Sequence, residues 1–158
     1  MDKNKKIVVL VILILLGVVA VSGCIGSSEE KSADGLKTYK MDNFEFKAPD
    51  EFDWSVSMSG NNGWLKNDNI TIAVDADIDM LSFADHEGED KIIDGITTKI
   101  DTSMFDGDTN TKNGRIIIYF EKNGTIFSIM ADTIGKNEED KKYILKVVET
   151  IIKTMTHT

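Results

Sequence analysis

Two aspartate-rich stretches are the first candidates for chemistry in this sequence of 158 residues. In "DADIDM", Asp75, Asp77 and Asp79 stand at positions one, three and five, the spacing that opens an EF-hand calcium loop and turns carboxylates toward one hard cation. "DGDTNT" offers Asp106, Asp108 and Asn110 in the same register. Neither loop is completed. In the first, the glycine of position six is Met80 and the bidentate glutamate of position twelve is His86; the second also lacks both. A partly hydrated Ca²⁺ outside the cell is the one cation that would suit these acids; otherwise they are solvated loops, and no cofactor is expected.

Other constellations are thinner. Of the two histidines, His157 is next to last in the chain, so a Ser-His-Asp or Cys-His nucleophile would have to use His86. No serine stands in a G-x-S-x-G elbow, "DHEGED" lacks the H-E-x-x-H spacing of a zinc site, and "GK" at 135–136 lacks the rest of a phosphate loop. His86 reads as a solvated loop residue. Trp54 and Trp64 are the aromatics that would suit a sugar platform, but Trp54 shares its face with Phe52, Val56 and Met58 and reads as core. Two N-x-T sequons, at Asn69 and Asn123, are N-glycosylation acceptors if the chain is exported where that chemistry operates.

The lone cysteine, Cys24, excludes an internal disulfide and a thiolate metal cluster. It stands behind Ile7 to Val21, fifteen uninterrupted apolar residues that follow Lys3, Lys5 and Lys6. A basic start, an apolar middle of this length and small residues after it are the layout of a secretory signal. As a helix the run would reach only about 23 Å, short of the roughly 30 Å hydrocarbon core. Val21-Ser22-Gly23-Cys24 resembles the lipobox of prokaryotic lipoproteins at all four positions. The resemblance implies cleavage before Cys24 and lipid on its sulfur, with residues 1–23 as the signal peptide. The alternative is an uncleaved signal-anchor with an unmodified thiol. Both place the body outside, because the lysines hold the start inside. Residues 24–35 read as a flexible tether, and a single folded domain is expected over 36–158.

Charge narrows the partners. The chain carries −9; residues 1–23 contribute a net +2, so the remainder carries −11 with Arg115 as its single arginine. Nucleic acid is excluded, since phosphate binding needs clustered Lys and Arg. The membrane, through the anchor, and a protein at the cell surface are the partners that fit.

The elements that must position these residues alternate first. Phe44, Phe46 and Ala48 share one side of a strand, Pro49-Asp50 marks a turn, and Phe52, Trp54, Val56 and Met58 share one side of a second strand over 52–58. "NNGW" at 61–64 reads as an Asn-Gly turn before the strand "ITIAV" at 70–74. Residues 78–90 allow a short helix, and "ITTKI" at 96–100 reads as a strand after Asp94-Gly95. In 115–132, Asn123-Gly124 joins two β-rich runs that are apolar on both faces, which predicts a central hairpin covered on both sides. Over 137–155, Ile144, Val147, Val148, Ile151, Ile152 and Met155 recur at helical spacing behind an Asn137 cap and three acids.

Strands, a short helix, more strands and a closing helix make an α+β fold: an antiparallel sheet with a C-terminal amphipathic helix packed on it, arranged as an α/β/α sandwich. "YKMDNFEFKAPDEFDW" (39–54), "IIDGITTKI" (92–100), the paired strands and the closing helix together resemble the PsbP-like proteins, a group with an antiparallel sheet between helices. That resemblance implies a non-enzymatic accessory role in binding or assembly and supplies no catalytic residues. The expectation is a membrane-anchored extracytoplasmic lipoprotein whose domain binds, not an enzyme. The alternatives are a calcium-dependent adhesion module and a small secreted hydrolase working through paired carboxylates.

Overall fold

The computed structural model describes residues 34–76, 86–106 and 112–158. Five strands come first, β1 (Leu36–Lys40), β2 (Phe44–Pro49), β3 (Asp53–Val56), β4 (Asn62–Lys66) and β5 (Ile70–Ala76). Then follow β6 (Glu89–Ile93), β7 (Ile96–Asp101), the single turn α1 (Ser103–Asp106), the hairpin β8 (Gly114–Lys122) and β9 (Thr125–Thr133), the helix α2 (Glu138–Thr154) and β10 (Thr156–His157). All pairings are antiparallel, in a seven-stranded sheet of order β3-β4-β5-β9-β8-β7-β6 and a three-stranded sheet of order β1-β2-β10. The fold is α+β, with the C-terminal helix packed on antiparallel sheets. The expected short helix over 78–90, which would supply the second helical layer, lies largely outside the described residues; its last two positions open β6 instead.

The β8–β9 hairpin is central because its residues are the most apolar of the sheet. Ile116, Ile118, Phe120, Phe127, Ile129 and Ala131 point to one side and are fully buried, while Ile117, Tyr119 and Met130 on the opposite side are half-buried. The turn is as its sequence requires: Asn123 and Gly124 have φ of 54° and 77°, a left-handed pair that glycine and asparagine tolerate best. Over the buried side lie β2 and α2. Phe44 meets Phe127 edge-on at 5.0 Å or less between centroids, 4.9 Å, and the helix contributes Ile144, Val147, Val148, Ile151 and Ile152.

Two polar contacts lock the helix in place. The Asn137 side chain accepts from the Asp140 N–H at 2.7 Å, capping the first turn, and at the other end Thr154 Oγ1 accepts from the Lys47 N–H of β2 at 2.8 Å. Tyr39, buried on β1, donates its hydroxyl to the carbonyls of Pro49 (2.8 Å) and Phe52 (3.2 Å), which fixes the turn that the proline starts.

Two local readings are corrected. Asn62-Gly63 is not a turn but part of β4; the chain reverses over residues 57–61, where Gly60 has φ 73° and its N–H reaches the Ser57 carbonyl at 3.0 Å. Gly63 serves contact instead: a Cβ there would overlap the Trp54 indole, which lies across it from β3. The strand expected over 52–58 shortens to 53–56. Phe52 is buried and Trp54 is half-buried between Tyr39 and Phe46, but Val56 is 46% exposed and Met58 is fully exposed. Being at the sheet's edge, β3 has no neighbour among the described residues to cover its far end.

Candidate functional site

The face of the seven-stranded sheet turned away from the core carries the polar chemistry of the described residues. Register sets it in rows, because side chains on one face of adjacent paired strands stand side by side about 4.8 Å apart. One row runs Asn62, Asp75, Ser128, Tyr119, Lys99, Asp90 across β4, β5, β9, β8, β7 and β6. The next has an apolar middle, Trp64, Ala73, Met130 and Ile117, between Ser55 and Asp101, and beyond it lies Asp53, Lys66, Thr71, Asp132, Arg115. Trp64 is 38% exposed and is the most open aromatic of the apolar row.

Arg115, Lys99 and Asp75 in these rows meet partners of opposite sign or hydrogen-bonding neighbours. Arg115 Nε and Nη2 donate to the two oxygens of Asp132 at 2.6 and 3.0 Å, and this hydrogen bonding raises the Arg115 pKa further above its usual value. Lys99 Nζ lies 3.1 Å from Asp90. Asn62 Nδ2 donates to Asp75.

His86 departs from expectation. Its ring lies flat on Tyr119, centroids 3.8 Å apart and planes 9° from parallel, so it is half-buried stacking material and not a solvated loop residue. Its Nε2 is buried and finds no hydrogen-bond partner among the described residues. Nothing in the spacing of "DHEGED" signals this, because the contact joins the approach to β6 with β8, more than thirty residues on.

Each of the two acidic stretches singled out for Ca²⁺ has only its first acid among the described residues. Asp75 sits on β5 in the row of Ser128 and Tyr119, whereas Asp106 ends α1, where Phe105 packs on Gly114. Gly114 and Tyr119 are five residues apart on β8, roughly 17 Å at about 3.4 Å per residue. The Asp106 carboxylate is taken by Lys141 Nζ (2.5 Å) and Thr102 Oγ1 (2.6 Å), and those hydrogen bonds, Lys141 first, lower its pKa. Among the described residues no three His, Cys, Asp or Glu side chains gather as a metal site. Asp77, Asp79 and Asp108 lie outside the described residues, as do Val21, Ser22, Gly23 and Cys24. Both sequon asparagines are exposed at hairpin turns, Asn69 between β4 and β5 and Asn123 between β8 and β9, at opposite ends of the sheet.

Compared with known proteins, the chain matches no family and no curated relative.

Proposed function

We propose that this protein is an extracytoplasmic lipoprotein, fastened to the membrane through lipid on Cys24, whose acidic α+β domain works by binding or assembly and not by catalysis. The observation that carries the reading is the N-terminal order of the sequence: three lysines, fifteen apolar residues, Val21-Ser22-Gly23-Cys24, then a polar stretch that ends where β1 begins at Leu36. Hydrocarbon on a sulfur partitions at about 0.8 kcal/mol per buried methylene, and more than one chain is needed for a stable hold. The eleven residues between Cys24 and Leu36 are small, polar and charged, the composition of a tether, and a random coil of that length reaches roughly 17–20 Å.

Two further features support the binding half of the proposal. The remainder of the chain after residue 23 carries −11, which keeps it soluble and repels nucleic acid. On the sheet face away from the core, Arg115, Lys99 and Asp75 are engaged with neighbours, flanking an apolar row open at Trp64. The finer likeness to the PsbP-like group belongs to the same proposal. It draws on the aromatic strand β2 ending at Pro49, the antiparallel sheet, and α2 closing over it.

The test is fractionation and intact mass of the protein and of a Cys24→Ser variant from the native host. The natural protein is expected in the detergent phase, carrying hydrocarbon mass on a chain that starts at Cys24. The variant is expected to lose both the added mass and the cleavage. If the variant keeps its membrane association and its processing, the attachment chemistry is wrong.

A further inference from the structure

We infer that Asn69 is the residue of this chain that carries an N-linked glycan; this rests on the exported topology proposed above. The turn between β4 and β5 is built by Asn67, not by Asn69. Asn67 Oδ1 accepts the N–H groups of Asn69 (3.0 Å) and Ile70 (2.8 Å), its Nδ2 donates to Glu51 Oε1 (3.3 Å), and its own N–H reaches the Ile70 carbonyl at 3.0 Å. The Asn69 carboxamide makes no hydrogen bond among the described residues, and the residue is exposed. An exposed asparagine without a structural task, two residues before Thr71, has the acceptor pattern and an unengaged nitrogen.

Asn123 differs in kind. Its φ of 54° and the Gly124 that follows it account for its identity as a turn residue without any modification. A second observation favours Asn69. Its carbonyl accepts the Ile134 N–H at 3.0 Å, which places the acceptor beside an isoleucine that is 70% exposed. The C–H face of a sugar attached at Asn69 is the kind of group that shields such a side chain from water, since burial of apolar area is favourable whichever molecule provides the cover.

The transfer balances without redox chemistry. The co-reactant is an oligosaccharide joined through its C1 to a lipid diphosphate. Asn69 Nδ2 forms a bond to C1 and gives up one proton. The C1–O bond to the diphosphate breaks, and the lipid diphosphate leaves with the electron pair.

Tryptic mass spectrometry of the full protein from its native host reads each claim on its own peptide, because cleavage after Lys66 and Lys91 isolates 67–91, cleavage after Lys122 and Lys136 isolates 123–136, and Cys24 lies upstream of both. The expected result is a saccharide mass series on 67–91, lost in Asn69→Gln and in Thr71→Ala and kept in Thr71→Ser. An unmodified 67–91 beside a lipidated Cys24 overturns the glycan and leaves the anchor standing. Saccharide on 123–136 alone overturns the choice of acceptor. Neither glycan nor lipid overturns this inference together with the proposal on which it rests.

Discussion

Replacing Gly63 by alanine tests whether this glycine exists for the Trp54 indole or for a turn. The backbone of Gly63 is ordinary strand, yet a Cβ would overlap the six-membered ring of Trp54, so either the indole swings away or β3 and β4 part. Swinging away gives up two aromatic contacts, with Tyr39 and Phe46, each 5.6 Å between centroids and worth about 0.5–1.5 kcal/mol. Parting the strands is overpacking, which costs about 1–3 kcal/mol by itself. Alanine returns about 0.5–1 kcal/mol because the unfolded chain loses less freedom. The net expectation is a loss of about 1 kcal/mol, read as a lower urea midpoint by tryptophan fluorescence with the slope unchanged. Gly124→Ala is the contrast. It has open space around it but φ 77°, so its cost, about 1–2 kcal/mol, comes from the backbone alone. The decisive arm is Gly63→Ala in a Trp54→Leu background, where the penalty should fall below about 0.5 kcal/mol. A Gly63→Ala protein as stable as the natural one, or a penalty that persists without the indole, refutes the reasoning.

Two further outcomes follow from the structure. His86→Phe keeps the ring on Tyr119 and removes the unpartnered Nε2, so its stability should match or exceed that of the natural protein, while His86→Ala should cost about 1 kcal/mol; chemical unfolding that ranks the two the other way defeats the stacking account. Asp106 has a folded pKa below its ordinary 3.8, so its bonds to Lys141 and Thr102 contribute fully above that value and are lost as pH falls toward the folded pKa, the unfolded chain taking up its proton first. Asp106→Asn should therefore flatten the loss of stability below about pH 4, as followed by thermal melts across an acid series. An unchanged acid limb would show that the pair is solvated away.

The parts of the molecule that were legible in the chain are those whose information is local. Alternation at Phe44, Phe46 and Ala48, the Asn123-Gly124 turn, and the helical spacing of Ile144 to Met155 behind Asn137 each lie within a dozen or so residues, and each element formed with its expected face buried. The address proposed at Val21-Ser22-Gly23-Cys24 would be local in the same sense, being read as a string and needing no fold. What the sequence could not place depends on which side chains strand pairing and packing bring together. Asn62-Gly63 has the composition of a turn, but pairing with β3 and β5 holds it as strand, and the Trp54 ring lying across Gly63 accounts for the glycine. β6 pairs β7 as an edge with four of its five residues exposed, so it carries little apolar alternation to reveal it. Asp75 and Asp106 look alike by spacing, but one faces Asn62 across a strand pair and the other Lys141 from the helix, because register and packing, which are set by burial of the whole core, decide which side chains meet.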